Sequence, residues 1–137
     1  MFNGFLLKVG NYTVPPSLMK LESYNVSQLG QDLDSYRDSN GVLHRNALTS
    51  KVVKVEFETK DMLTNLEFSQ LMANIRNQYT NATEKKLLMT AYVPELDGYV
   101  TQTAYVPDIT PSIYNIDVSR NIIHIRSTRI AFIGYGD

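Results

Sequence analysis

Two histidines, His44 and His124, are the natural starting point for chemistry because imidazole titrates near neutral pH and binds transition metals. A zinc site on a helix needs a second ligand three or four residues away, and neither histidine has one. The sequence contains no cysteine, which excludes disulfides, thiolate ligands and thiol nucleophiles. We therefore predict no metal site, and we interpret His124 as a partly buried strand residue among isoleucines.

Residues 32–41, with the sequence DLDSYRDSNG, are rich in the oxygen ligands that calcium prefers. An EF-hand loop places acidic or amide groups at alternate positions, and Tyr36 interrupts that order. A solvated loop is therefore the better interpretation. The chain also has no Gly-x-Ser-x-Gly elbow, no glycine-rich phosphate loop and no recognisable carboxylate pair. We expect no catalytic residues and no cofactor, so the chain is not predicted to be an enzyme.

Charge also limits the possible partners of the chain. The formal net charge is -1, which supplies no long-range field for DNA, RNA or anionic lipid. The cations that could form a nucleic-acid patch are scattered among acids: Lys51, Lys54, Lys85, Lys86, Arg120, Arg126 and Arg129. No apolar run approaches the ~20 residues that span a bilayer, so we expect a soluble protein without a cleaved signal.

Period-two alternation of apolar and polar residues indicates that strands dominate. The clearest case is the segment 51–59, where Val53, Val55 and Phe57 share one face. Two further strands are joined by a turn containing Asp97-Gly98, a pair that tolerates the positive φ angles of a hairpin. Strands or hairpins are predicted over residues 5–14, 18–26, 51–59, 86–93, 99–106 and 122–133.

One helix is predicted over residues 64–79. Thr64 and Glu67 have the spacing of a capping box, in which each side chain bonds to the backbone of the other residue. An apolar stripe at helical spacing follows, formed by Phe68, Leu71, Met72, Ile75 and Tyr79.

These elements predict an α+β fold that is mostly antiparallel β, in a single domain over residues 1–137. Residues 28–50 are the most polar stretch and are rich in turn formers. We interpret them as a long polar loop that projects between two strands.

The order of several motifs resembles a family of small tail proteins of prophages and long-tailed phages of Gram-positive bacteria. The likeness covers about three quarters of the chain, although the family's aromatic-rich C-terminal strand is represented only by residues 129–133. The matching segments are residues 6–10, 14–17, 34–37, 41–45 and 101–108, with the helix positions Leu63, Glu67, Leu71, Met72 and Ile75.

The resemblance implies a tail-tube-like fold of two packed antiparallel sheets, a sandwich or barrel, flanked by one helix. It also implies a structural subunit of a tail tube, a baseplate ring or a tail-completion complex. Such proteins assemble as rings, commonly hexamers, with themselves and with other tail proteins, and they can contact DNA passively in a tail lumen. The expected location is the virion, after assembly in the cytoplasm of the host bacterium.

A ring needs a closing contact between unlike surfaces, and the projecting loop is the predicted interface. Arg37 and Arg45 are expected to bond carboxylates of a neighbouring subunit, with Asp38 and His44 as secondary contributors. The alternative is that both arginines are only solvated.

A second possible function is a non-enzymatic adaptor, or a carbohydrate- or protein-binding module, at the tail tip. Exposed tyrosines offer suitable aromatic platforms for such binding. The candidate tyrosines for such a binding site are Tyr92, Tyr99 and Tyr105.

Overall fold

A computed structural model describes residues 1–32 and 34–137, and the side chains of these residues except 31, 32 and 48–50. The helix α1 spans Asn65–Arg76. The strands are β1 (Leu7–Val9), β2 (Tyr12–Thr13), β3 (Asn25–Asp32), β4 (Tyr36–Arg37), β5 (Leu43–His44), β6 (Ala47–Glu58), β7 (Leu63–Thr64), β8 (Lys86–Val93), β9 (Gly98–Tyr105), β10 (Ile113–Asp117), β11 (Ile122–Ile125) and β12 (Arg129–Gly134).

The described strands form three sheets, and this confirms the predicted α+β class with mostly antiparallel β structure. The largest sheet has seven strands in the order β2-β1-β8-β9-β12-β6-β3, with antiparallel neighbours throughout. A second sheet has the order β10-β11-β7, and β4 pairs with β5. The resemblance to tail proteins implied two packed sheets, whereas the described strands divide into sheets of seven, three and two.

The core lies on the inner face of the large sheet, where the apolar positions of each strand converge. Val53, Val55 and Phe57 of β6 are buried together, as their alternation predicted. Other strands and α1 contribute the rest of this cluster, which includes Leu7, Val9, Leu71, Ile75, Leu87, Met89, Ile130 and Phe132. Each large side chain that is fully buried stabilises the fold by about 1.5–3 kcal/mol.

The large sheet curls so that its two ends approach each other. Tyr24 precedes the edge strand β3. Its hydroxyl shares its one hydrogen between the carbonyl oxygens of Leu6 (3.0 Å) and Tyr92 (2.9 Å). Those two residues belong to the β1 and β8 side of the sheet. Burial raises the pKa of the Tyr24 phenol well above its usual value, so the hydroxyl remains a donor across the closure.

The predicted capping box of the helix is confirmed. The Thr64 hydroxyl accepts from Glu67 N, and the Glu67 side chain accepts from Thr64 N, each over 3.2 Å. Phe68, Leu71 and Ile75 are buried. Leu71 and Ile75 belong to the core cluster, and Met72 is half-buried against it.

The helix ends earlier than the predicted residue 79. Gln78 N and Tyr79 N donate to the carbonyls three residues before them, so the chain tightens into a 3₁₀-type turn after Arg76. Tyr79 still packs against the core, which explains its fit to the apolar stripe.

The strand predicted over residues 18–26 is largely wrong. Short 3₁₀ turns occupy Pro16–Leu18 and Leu21–Ser23, and strand structure begins only at Asn25. The Ser23 hydroxyl donates to Lys20 O (2.5 Å), and such local side-chain bonds compete with a strand ladder.

The C-terminal strand predicted over residues 122–133 is divided between two sheets. β11 pairs with β7 and β10, whereas β12 joins the large sheet. Thr59 accounts for the break, because its hydroxyl accepts from Thr128 N (3.0 Å) and its carbonyl accepts from the Ser127 hydroxyl (2.7 Å). His124 is half-buried in β11, as predicted, and its Nδ1 lies 2.7 Å from Asn115 Oδ1.

Candidate subunit interface

The segment predicted as a long polar loop over residues 28–50 is instead largely a projecting β ribbon. β6 pairs with β12 from Lys54 to Glu58, and further toward Ala47 its ladder partner is β3. Gln28 faces Val53 and Gly30 faces Lys51 across this ribbon. We call residues 28–53 the arm. The described side chains of residues 34–47 are exposed or half-buried, so the arm extends away from the body of the protein.

A side chain, rather than a strand, holds the root of the arm. The buried Gln102 of β9 accepts from Val53 N (3.2 Å) and donates to Lys51 O (2.7 Å). These backbone groups lie just beyond Lys54, the last residue of β6 that pairs with β12. Gln102 therefore supplies the hydrogen bonds that another residue of β12 would have made.

The tip of the arm is a small hairpin formed by β4 and β5, with Tyr36 opposite His44. Asp38 organises its turn, since its Oδ1 accepts from Asn40 N (2.9 Å) and Val42 N (3.1 Å). Gly41 adopts a φ of 81°, a left-handed conformation that glycine tolerates without strain.

His44 closes the tip hairpin on its second side. Its ring stacks on Tyr36 with 4.8 Å between centroids, and its Nε2 lies 3.0 Å from Asp38 Oδ2. The His44 bond and the amides of Val42 and Asn40 lower the pKa of the Asp38 carboxyl below its ordinary value.

The lowered pKa of Asp38 predicts that the tip hairpin loosens only at low pH. A carboxyl whose folded-state pKa is depressed stabilises the fold above its unfolded pKa of about 4, and this stabilisation is lost as pH falls through the folded pKa. We expect the amide resonances of Asn40 and Val42 to move with a midpoint below the ordinary value. Asp38→Asn should abolish this step. A midpoint at or above the ordinary value would contradict the assignment.

The structure brings three of the four predicted interface residues together, namely Arg37, Asp38 and His44. Arg37 differs from its predicted role, because its Nη1 donates to Gly41 O (2.9 Å) within the same hairpin. Arg45 follows β5 and is exposed.

Sequence reasoning missed the apolar part of the arm tip. Tyr36, Val42 and Leu43 are 60%, 55% and 44% exposed. The available signal was the Val42-Leu43 pair directly after Gly41, since two adjacent apolar residues within so polar a stretch need a burial partner.

The tyrosines predicted for a binding module, Tyr92, Tyr99 and Tyr105, lie outside the arm. Tyr92 and Tyr99 are in edge-to-face contact at 5.5 Å, and Phe5 stacks on Tyr99 at 4.6 Å. Both hydroxyls are engaged internally, Tyr92 with Asp97 and Tyr99 with the carbonyl of Phe5. Tyr105 is separate and contacts Tyr135.

Comparison with known protein families covers almost the entire chain. The model of a family of unknown function, DUF6711, matches residues 1–135. The chain belongs to DUF6711. The matched region includes the arm, Gln102 and the three sheets, so all of these are parts of one DUF6711 chain. No curated protein and no solved structure shows significant similarity to this DUF6711 sequence. In the described parts of the chain, no helix is both long and apolar enough to cross a membrane.

Proposed function

We propose that this DUF6711 chain is a non-enzymatic structural subunit that assembles with copies of itself through the arm. The observation that carries the proposal is the exposure of Tyr36, Val42 and Leu43 at the end of a projecting ribbon. Exposed apolar residues at the end of a projecting element are typical of interaction sites, and a two-stranded ribbon alone is only marginally stable in water. Contact with a neighbour would bury these side chains and support the ribbon.

The charges of the tip favour the same conclusion. Arg37 and His44 are each bonded inside the hairpin, to Gly41 O and Asp38 respectively. The exposed side chains of the tip that remain for a partner are therefore mainly aromatic and aliphatic, namely Tyr36, Val42 and Leu43. Aromatic residues and arginine are enriched in protein–protein interfaces, and charged residues are depleted from their centres.

The edge of the large sheet offers a second contact element. Among the described residues β3 pairs only with β6, so its outer edge presents unpaired backbone N–H and C=O groups. Edges of this kind pair readily with another chain. A neighbour that reaches the arm could therefore also bond to the backbone of β3.

The biological setting that we propose is a phage or prophage tail. This part rests on the order of several motifs, which resembles that of small tail proteins. These motifs are residues 6–10, 14–17, 34–37, 41–45 and 101–108 and the helix. The chain would then form a ring, with the hexamer as the first candidate, in a tail tube, baseplate or tail-completion complex of the virion. Its partners would be its own copies and other tail proteins, with passive DNA contact in a lumen. A net charge of -1 imposes little repulsion between copies.

The second candidate function is a carbohydrate- or protein-binding adaptor at a tail tip. The observation in its favour is the contact cluster of Phe2, Phe5, Tyr92 and Tyr99, in which Phe2 is half exposed. Aromatic faces of this type can stack on a sugar or a partner side chain. Such an adaptor would remain monomeric when the arm is altered, whereas a self-assembling subunit would change its mass.

Reversing the charge of Arg45 tests the proposed assembly. In Arg45→Glu we expect an unchanged circular dichroism spectrum and self-association weakened by about tenfold, which corresponds to about 1.4 kcal/mol. Light scattering coupled to size-exclusion chromatography measures the mass across a concentration series. Lys8→Glu, on the outer face of β1 and outside the arm, is the matched control and should associate as the wild type does. Equal masses for the Arg45 variant and the wild type would remove Arg45 from the interface.

A further inference from the structure

A second group of exposed apolar side chains lies away from the arm, around the three-stranded sheet. Val118, Ile116 and Leu66 are 79%, 62% and 62% exposed, which are among the largest values for apolar residues of the chain. Met62, Ile113 and Tyr114 are exposed beside them in the same part of the fold. We call the hairpin β10–β11, with Met62 and Leu66, the apolar end.

The tip of the arm and the apolar end are separated by about the length of β6. This strand begins in the arm at Ala47 and ends at Glu58, after which the chain leads directly into β7 of the three-stranded sheet. At about 3.3 Å per residue, β6 places the two surfaces roughly 35 Å apart. The arm of one molecule therefore projects away from its own apolar end.

The apolar end has an open strand edge. β10 pairs with β11 on one side, and no strand among the described residues pairs with its other side. Next to β10, a recess of about 410 Å³ is lined by Asp61, Met62, Tyr114, Arg126 and Ser127. A recess of this size can admit an aromatic side chain, the kind of anchor that contributes most to binding in many interfaces.

Charges at the apolar end are satisfied within the molecule, as they are at the arm tip. Asp61 pairs with Lys20 (3.3 Å), and Asp117 pairs with Arg120 (3.7 Å). The Arg126 guanidinium lies over the Tyr114 ring at 5.6 Å. A nucleic acid would require clustered free cations, whereas a surface with internally paired charge matches another apolar surface of the same kind.

We propose that the arm of one copy docks on the apolar end of the next copy. The proposal rests on the proposed function and adds its geometry, because two unlike surfaces at opposite ends make the contact head-to-tail. Such a contact closes into a ring or continues as a filament.

Pairwise cysteine cross-linking tests this contact directly, and the natural chain contains no cysteine that could interfere. Val42→Cys places a thiol on the arm tip, and Val118→Cys places one on the apolar end. Both positions are exposed, so neither change should affect folding. After the two variants are mixed and treated with a short bismaleimide, we expect the mixed dimer to exceed either single-variant dimer by about tenfold.

Leu88→Cys, which is exposed on the outer face of β8, measures collisional cross-linking when it is mixed with Val42→Cys. A dominant Val42–Val42 or Val118–Val118 product would show a symmetric contact and overturn the head-to-tail proposal, while leaving self-association intact. Cross-linking no greater than in the Leu88 control, together with a monomeric wild type in light scattering, would overturn both proposals. Mixed dimers well above that control would support the proposed contact.

Discussion

Replacing Gly134 by alanine is expected to lower the free energy of unfolding by about 3 kcal/mol and to release the root of the arm. A Cβ atom at this position would lie 2.2 Å from Gln102 Oε1 and 2.8 Å from Val53 O. Overpacking a buried site costs about 1–3 kcal/mol. Displacing the Gln102 carboxamide would add to this, because a buried hydrogen-bonding group left without its partner costs about 1–3 kcal/mol.

Urea denaturation and amide hydrogen exchange measure the two parts of this effect. We expect the urea concentration at the unfolding midpoint to fall. The Val53 amide, which donates a hydrogen bond to Gln102 Oε1, should exchange its hydrogen faster. Gly30→Ala is the matched control, because no atom lies within 4 Å of the position that its Cβ would occupy. Unchanged stability and exchange in Gly134→Ala would show that Gln102 does not hold the root.

The double variant Gly134→Ala, Gln102→Ala separates the side-chain clash from the backbone clash. Removing the carboxamide relieves the 2.2 Å contact but not the contact with Val53 O. We expect the two changes to be less than additive, as is usual for residues in direct contact. Full additivity would indicate that the two positions act independently.

The core of this fold could be predicted from the sequence because its elements repeat a local pattern. The alternation of Val53, Val55 and Phe57 predicts one buried face of a strand, and the spacing of Phe68, Leu71 and Ile75 predicts one buried face of the helix. The structure buries both sets. The capping box at Thr64 and Glu67 is likewise complete within four residues of sequence.

The arm could not be predicted in the same way, because it extends past β12 and its described side chains other than Val53 are exposed or half-buried, so no buried face marks it in the sequence. Its root depends on Gln102, which is 49 residues from Val53 in the sequence. No local pattern encodes such a contact. The break between β11 and β12 has a similar cause, since it depends on bonds from Ser127 and Thr128 to the distant Thr59.

The interface in residues 28–50 stays a prediction, but the structure changes the chemistry that it would use. The arginines of the polar stretch indicated a charged contact, yet Arg37 bonds to Gly41 O inside its own hairpin. The exposed groups are instead Tyr36, Val42 and Leu43. They indicate an interaction site only because the arm carries them away from the core. Only the three-dimensional structure shows that the charges are satisfied and the apolar side chains are not.

Shortening the arm is expected to have the largest effect on assembly. Residues 31–50 can be replaced by a short turn rich in asparagine and glycine, because Gly30 and Lys51 face each other across the ribbon. This replacement retains Lys51 and Val53, so the bonds from Gln102 remain. The exposed tip residues are removed, whereas the buried core is unchanged. The shortened chain should therefore keep its fold and lose its contact with a neighbour.

Sedimentation velocity of the wild-type and shortened chains over the same concentration series measures this directly. We expect the wild type to form species larger than the monomer and the shortened chain to remain monomeric, with unfolding free energies that agree within about 1 kcal/mol. The exposed tip would then be needed for association but not for folding. A shortened chain that associates as strongly as the wild type, or a wild type that stays monomeric throughout the series, would contradict assembly through the arm.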